Sequence, residues 1–211
     1  MKNLIILISV SIIFTSCGGA DNDTVEIDGV LPGEHRVFIT KNGSIEADFN
    51  SSGLSGLAGA DRLCDTYAQA AGLTKDYKAI LSDDSNGNES TAKSRLIITG
   101  AIYTVTGSIK TEVAGSGDEF WNSDTVPILS KIDWDEDGNS VSSGKVWTGT
   151  TTSGTSDGNN CEDWTEVASN NGSGTSYNGT YGDVNVITLG KWIEDTTQPC
   201  SSTSHLYCIS Q

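Results

Sequence analysis

The hydrophobic positions fall into one early continuous run and many short later ones. Leu4 to Phe14 is almost wholly apolar and follows Lys2, a basic-then-apolar order. The run is shorter than the roughly 20 residues that a membrane-spanning helix needs, so it predicts a secretory signal peptide. From Gly18 to about Glu34 the residues are mostly Gly, Asp, Asn, Thr and Glu, and neither a helix nor a strand period persists. Arg36 to Thr40 then alternates around Val37 and Ile39, as a strand does. Leu57, Ala60, Cys64, Tyr67, Ala68 and Ala71 recur at helical spacing, with Ser55 near the start and Gly72 as a C-terminal stop. This is the clearest helix, and it turns Cys64 inward.

Beyond Gly72 no long helical period is sustained. Tyr77 to Ser82, Leu96 to Thr99, Ile102 to Thr106, Val126 to Ile132, Lys145 to Gly149 and Leu206 to Ile209 are short apolar or β-branched runs separated by Gly, Asn, Asp and Ser. Ser85 to Ser90, Gly149 to Asn160 and Ser169 to Tyr181 are polar and predict long surface loops. One helix followed by short strands and long loops gives an α+β class.

Composition and charge narrow the partners. The 211 residues are 36% hydrophobic, below the usual range, yet five Trp and six Tyr are enough to seed a core. Asp and Glu number 28 against 12 Lys and Arg, a formal net charge of −16. Such a surface field repels phosphate backbones, which argues against nucleic acid as a partner.

Thr15-Ser16-Cys17-Gly18-Gly19 after the apolar run resembles the lipobox of bacterial lipoproteins, in which the cysteine is acylated. Cys17 is therefore the expected lipid site, and several acyl chains would anchor the chain stably in a membrane. Gly18 stands where enterobacteria place an Asp for inner-membrane retention, so the expected location is the bacterial outer membrane, exposed at the cell surface. The resulting domain plan is a signal peptide over 1–16, lipidated Cys17 and an acidic tether over 17–35, and one folded domain over 36–211.

Without Cys17, four cysteines are left: Cys64, Cys161, Cys200 and Cys208. An even number in an exported chain reads as two disulfides, with three connectivities open. The spacings fit no zinc ribbon or finger, and His35 stands alone in its segment, as surface or capping histidines do.

Tyr77-Lys78-Ala79-Ile80-Leu81-Ser82, Val146-Trp147-Thr148-Gly149 with Cys161-Glu162-Asp163-Trp164, and the ending Cys200 to Ile209 resemble the endostatin domain of collagens XV and XVIII. They resemble still more its bacterial counterpart, the leptospiral endostatin-like lipoproteins, over roughly Arg36 to Gln211. That resemblance implies a C-type-lectin-like α+β fold: an antiparallel sheet, one main N-terminal helix packed on it, and terminal strands side by side. It implies Cys64 paired with Cys208 and Cys161 with Cys200, and Trp147 and Trp164 as core or loop-anchoring residues. For function it implies a surface adhesin whose partners are host matrix or complement-regulatory proteins such as laminin, fibronectin, plasminogen and factor H. The histidine-rich zinc site of endostatin has no counterpart here, and its basic heparin-binding face is at odds with the net charge.

Other chemistry is legible in fragments. Asp133-Trp134-Asp135-Glu136-Asp137-Gly138 matches the opening of a calcium loop, and Asp133, Asp135 and Asp137 are the ligands a calcium ion would take. The closing Glu is replaced by Gly144, so a β-hairpin with an Asp-Gly turn between Pro127–Ile132 and Lys145–Gly149 is the plainer expectation. Gly154-Thr155-Ser156-Asp157-Gly158 fits a nucleophile elbow but lies in a polar loop with no helix after it, and His205 sits beside Cys208, so no enzyme is expected. The calcium-lectin signatures are incomplete at Trp192-Ile193-Glu194-Asp195 and Gln198-Pro199-Cys200. The long loops are the expected contact surface, with Tyr177 and Tyr181 as candidate anchors. The alternative expectation is a calcium- or glycan-binding envelope module with no host partner.

Overall fold

A computed structural model describes residues 26–167 and 177–211. Cys17, the signal run and residues 168–176 of the third long loop lie outside the described residues. Among those described, no helix is long and apolar enough to cross a membrane.

The chain is α+β, built on a mixed, mostly antiparallel sheet. β1 (His35–Ile39) and β8 (His205–Ser210) form its centre and run antiparallel, with Val37 opposite Ile209 and Phe38 opposite Cys208. β3 (Ile102–Thr106) lies parallel to β1, and β4 (Ile109–Ala114) completes that side. The other edge of β8 is divided in two. β5 (Lys145–Trp147) runs parallel beside His205 and Leu206, and β2 (Tyr77–Ala79) runs antiparallel beside Cys208, Ile209 and Ser210. β6 (Asn178–Asp183) and β7 (Thr196–Pro199) extend the sheet beyond β5. The two parallel pairs depart from the wholly antiparallel sheet expected.

Alternation along the central strands supplies two cores. Phe38, Leu206 and Cys208 face one layer with Tyr77, Trp147 and Trp164; Val37, Ile39, Tyr207 and Ile209 face the other with Phe120, Trp121 and Trp192. The first layer is closed by α1 (Gly56–Ala70), whose small buried residues Ala60, Cys64 and Ala68 recur every four positions and admit a close approach to the sheet. The helix ends as Gly72 implies. Gly72 takes φ +77°, its N–H reaches the Gln69 carbonyl, and the Leu73 N–H reaches Ala68. Two carboxylates on α1 position β2: Asp65 accepts from the Tyr77 N–H at 2.7 Å and Asp61 from the Ala79 N–H at 3.0 Å. Asp61 also takes both oxygens to Arg95 at the end of α2 (Ala92–Arg95). The second layer is capped by α2 and α3 (Gly117–Phe120).

The four cysteines take the nested connectivity, Cys64–Cys208 and Cys161–Cys200. The outer bridge ties α1 to β8 across 144 residues and the inner one closes 39. Loops of this size are worth about 3–5 kcal/mol each by chain entropy.

Several sequence expectations are corrected. The tether does not extend to residue 35: Ile27 and Val30 pair in a turn, Val30 is fully buried, and Asp28 is bonded to the segment before β2. Residues 26–34 are therefore part of the folded domain. Leu96–Thr99 is not a strand, because the Leu96 N–H goes back to the Ala92 carbonyl of α2 and the Ile97 and Thr99 N–H groups go to side chains. Val126–Ile132 is not a strand either. Ile128 and Ile132 reach the core while Leu129 is exposed, and the segment meets β4 through one main-chain bond, from the Leu129 N–H to the Val113 carbonyl, and one side-chain bond, from the Ser130 hydroxyl to the Glu112 carbonyl. The proposed hairpin with Lys145–Gly149 is thus absent, and the Asp-Gly turn survives inside a small loop closed by the Trp134–Ser140 bridge. His35 is not a surface residue, being 5% exposed.

Candidate functional site

The loop from Gly149 to Asn160 emerges from β5 at one end of the sheet, and its own hydrogen bonds hold its shape. Gly149, at φ +51°, passes under the Trp164 ring, where a Cβ would lie 2.6 Å from the indole. Thr150 pairs with Ser156 across the loop. At the tip, Thr151 and Gly154 close a turn, and the hydroxyls of Thr151, Ser153 and Thr155 bond one another at 2.7 to 3.3 Å. Four contacts dock this loop on its neighbours. Gly154 accepts from the Lys93 N–H and lies against Trp121, Glu194 accepts from the Thr152 N–H at 2.8 Å, and Asp157 accepts from the Thr180 hydroxyl. The loop is long, as expected, but it is a built surface.

Two further turns border it. The 183–192 turn carries Leu189 at φ +52° with 70% of its surface exposed, and the next residue, Gly190, lies against Thr152 and Ser123. Three residues beyond Ser123, Val126 is 46% exposed. A leucine held in the left-handed region costs on the order of 1–2 kcal/mol, and its exposure recovers none of that by burial. Strain and exposed apolar area thus meet at one residue, and such residues concentrate at binding sites. Sequence reasoning missed Leu189 and Val126, since an isolated Leu or Val in a polar segment carries no periodic signal.

The expected anchors have other positions. Tyr181 lies in β6, not in a loop; it is 8% exposed, with the Lys145 ammonium 4.1 Å from its ring centre. Tyr177 is half-buried just before β6, where its carbonyl accepts from the Cys200 N–H. Burial, with Glu162 and Glu166 nearby, pushes the Tyr177 hydroxyl pKa up. Trp147 and Trp164 are fully buried, meet edge to face at 5.8 Å, and donate their indole N–H groups to the Ile45 and Ser82 carbonyls. Both are core residues.

A second strained element underlies this end. Cys161, Glu162, Asp163 and Trp164 take φ of 52°, 53°, 56° and 60°, a left-handed helical turn of four non-glycine residues. Asn160 caps it by accepting from the Asp163 N–H, the Cys161–Cys200 bridge fixes one end and the Trp164 ring the other. Gly179 admits the turn, because a Cβ there would lie 2.8 Å from the Cys161 sulfur and from Trp147.

The Asp133–Asn139 loop is satisfied internally. One oxygen of Asp135 accepts from the N–H groups of Asp137 and Asn139 at 3.0 and 2.7 Å, and Asp137 pairs with Lys41 at 3.0 Å. Among the described residues no three His, Cys, Asp or Glu side chains gather as a metal would need. Glu136 is buried; one of its oxygens accepts from the Lys41 N–H and the other has no hydrogen-bond partner. Burial holds its pKa above the ordinary 4.5. Ser156 pairs with Thr150 and accepts from the Gly158 N–H, so it does not sit on a strand-to-helix elbow. His205 bonds the Thr40 carbonyl, and its ring packs against Gly43 and Gly144.

Compared with protein-family models and with curated proteins, the chain matches none.

Proposed function

We propose that this chain is a lipid-anchored bacterial outer-membrane protein that acts as an adhesin, binding host extracellular-matrix or complement-regulatory proteins through the loop end of its sheet. The observation that carries the reading is the exposed, left-handed Leu189 beside the self-bonded 149–160 loop, where the next residue, Gly190, lies against Thr152. A rigid loop loses little entropy on binding, and an exposed apolar anchor suits a protein partner. The lipobox-like Cys17, the two disulfides and the endostatin-like motifs support an exported, C-type-lectin-like domain of this class. Fold resemblance alone licenses no activity, so the surface bears the argument.

The test is binding of the oxidised chain, lacking its first 17 residues, to immobilised laminin, fibronectin, plasminogen and factor H, over a salt series and with and without chelator. Saturable, chelator-indifferent binding to one of them is the expected result. Chelator-sensitive binding to a glycan in its place would support a calcium- or glycan-binding envelope module.

A further inference from the structure

His35 is fixed in one tautomer by bonds of opposite sense. Its Nδ1 lies 2.7 Å from the Ser210 carbonyl, which can only accept, so Nδ1 carries the proton. Its Nε2 lies 3.0 Å from the Thr99 main-chain N, which can only donate, so Nε2 is bare. The neutral ring thereby joins β1, the end of β8 and the Leu96–Gly100 segment. That segment has no strand beside it. The Ile97 N–H goes to the Gln211 side chain at 3.1 Å and the Thr99 N–H to His35, while the Thr99 hydroxyl reaches the Gly33 carbonyl at 3.3 Å. Leu96, Ile98 and Thr99 form one wall of a cavity of about 300 Å³, faced by Lys93, Trp121 and Ser116–Asp118.

We propose that His35 is an acid-operated latch, whose protonation frees the Thr99 amide and loosens the Leu96–Gly100 segment so that the cavity it walls opens. A proton on Nε2 places two N–H groups face to face across 3.0 Å. The ring must then turn to the Thr99 hydroxyl, 3.3 Å away, and the amide loses its acceptor. The surroundings favour a neutral ring. β8 offers it a carbonyl, the 96–100 segment an N–H and a hydroxyl, β3 the Ile102 backbone, and the charge facing it is the Lys75 ammonium, itself held by the Glu34 carbonyl. Burial, and after it the Lys75 charge, lower the His35 pKa below its ordinary 6.5, outweighing the Ser210 carbonyl, whose bond from Nδ1 favours the charged ring. The latch is therefore closed at neutral pH and releases in acid.

The experiment is NMR on the full oxidised chain in detergent from pH 7.5 to 4.5, following the two histidine rings, the Trp121 indole and exchange of the Thr99 amide corrected for intrinsic rate. His35→Gln puts a non-titrating amide oxygen within reach of Thr99 and assigns the ring signals. The expected result is a rise in Thr99 exchange of about five- to tenfold, the population change that one net hydrogen bond represents. That rise and a shift of the Trp121 signal should share the midpoint of the His35 ring, and both should vanish in H35Q. Thr99 protection that is flat with pH, a different midpoint, or the same loss in H35Q would overturn the proposal. Should H35Q fail to fold, coincidence of the three wild-type midpoints decides it.

Discussion

The carboxylate of Asp28 accepts a hydrogen bond from the Tyr77 hydroxyl at 3.2 Å. The same carboxylate takes the Lys75 N–H at 2.9 Å and both the N–H and hydroxyl of Thr74 at 2.8 and 3.1 Å. Asp28 thus holds the turn before β1 against the entry to β2. Its partial burial opposes ionisation, but the bonds from Lys75, Thr74 and Tyr77 outweigh it and keep its pKa below the usual 3.8. Asp28→Ala should cost about 1.5–3 kcal/mol in urea unfolding, the range for hydrogen bonds to a charged acceptor. The stabilisation is present above pH 3.8 and lost as pH falls through the lower native value, so the wild-type advantage over D28A should shrink only in strong acid. An equal stability of the two proteins at pH 7 would return residues 26–34 to the status of a tether.

What the sequence told and hid follows from how each element is held. α1 was legible because its stripe and its Gly72 stop are local, and β1, β3, β5 and β8 because they carry alternating or continuous apolar residues. β6 was not. It reads Asn-Gly-Thr-Tyr-Gly-Asp, and its glycines answer distant neighbours: Gly179 the Cys161 sulfur and Trp147, Gly182 the Trp192 backbone. β2 was legible as the start of the apolar run Tyr77–Ser82, but the carboxylates on α1 that hold its N–H groups were not. Leu96–Thr99 looked like a strand, yet its partners are the side chains of His35 and Gln211. Of the candidate site, the 149–160 loop was legible from composition, whereas Leu189 was not, because its interest lies in a backbone angle.

Glu136 should reverse the usual acid sensitivity of a carboxylate. Burial raises its pKa above 4.5, so its native state binds a proton more readily than the unfolded chain does. The associated stability is present below pH 4.5 and is lost as pH rises through the native value. Glu136→Gln, which keeps an oxygen for the Lys41 N–H, should therefore stabilise the protein at pH 7 by on the order of 1 kcal/mol. The gain should disappear near pH 4. A destabilised E136Q at pH 7 would mean that the Lys41 ion pair, at 3.6 Å, outweighs the burial of the charge.

The Asp133–Asn139 loop should be indifferent to calcium. Asp135 already caps two N–H groups and Asp137 is paired with Lys41, so an ion would have to displace both. Millimolar calcium should leave the melting temperature unchanged, while Asp135→Ala should cost about 1–2 kcal/mol through the lost turn bonds. A calcium-dependent rise in melting temperature that D135A abolishes would instead establish a cation site on these carboxylates.

Leu189 offers the sharpest separation of stability from function. In the left-handed region glycine is free of the Cβ clash, so Leu189→Gly should stabilise the fold by about 0.5–1 kcal/mol, chiefly by relieving native strain. With 70% of its surface exposed, the leucine side chain makes little packing that this change would lose. If the loop end is the contact surface, the same substitution removes its apolar anchor and should weaken binding to a matrix or complement-regulatory partner by tenfold or more, the scale of about 1.4 kcal/mol or above expected at an interface anchor. Thermal unfolding and surface plasmon resonance on one preparation read both effects. A stabler variant that binds less would show strain kept for recognition; a stabler variant that binds equally well would move the contact surface away from this turn.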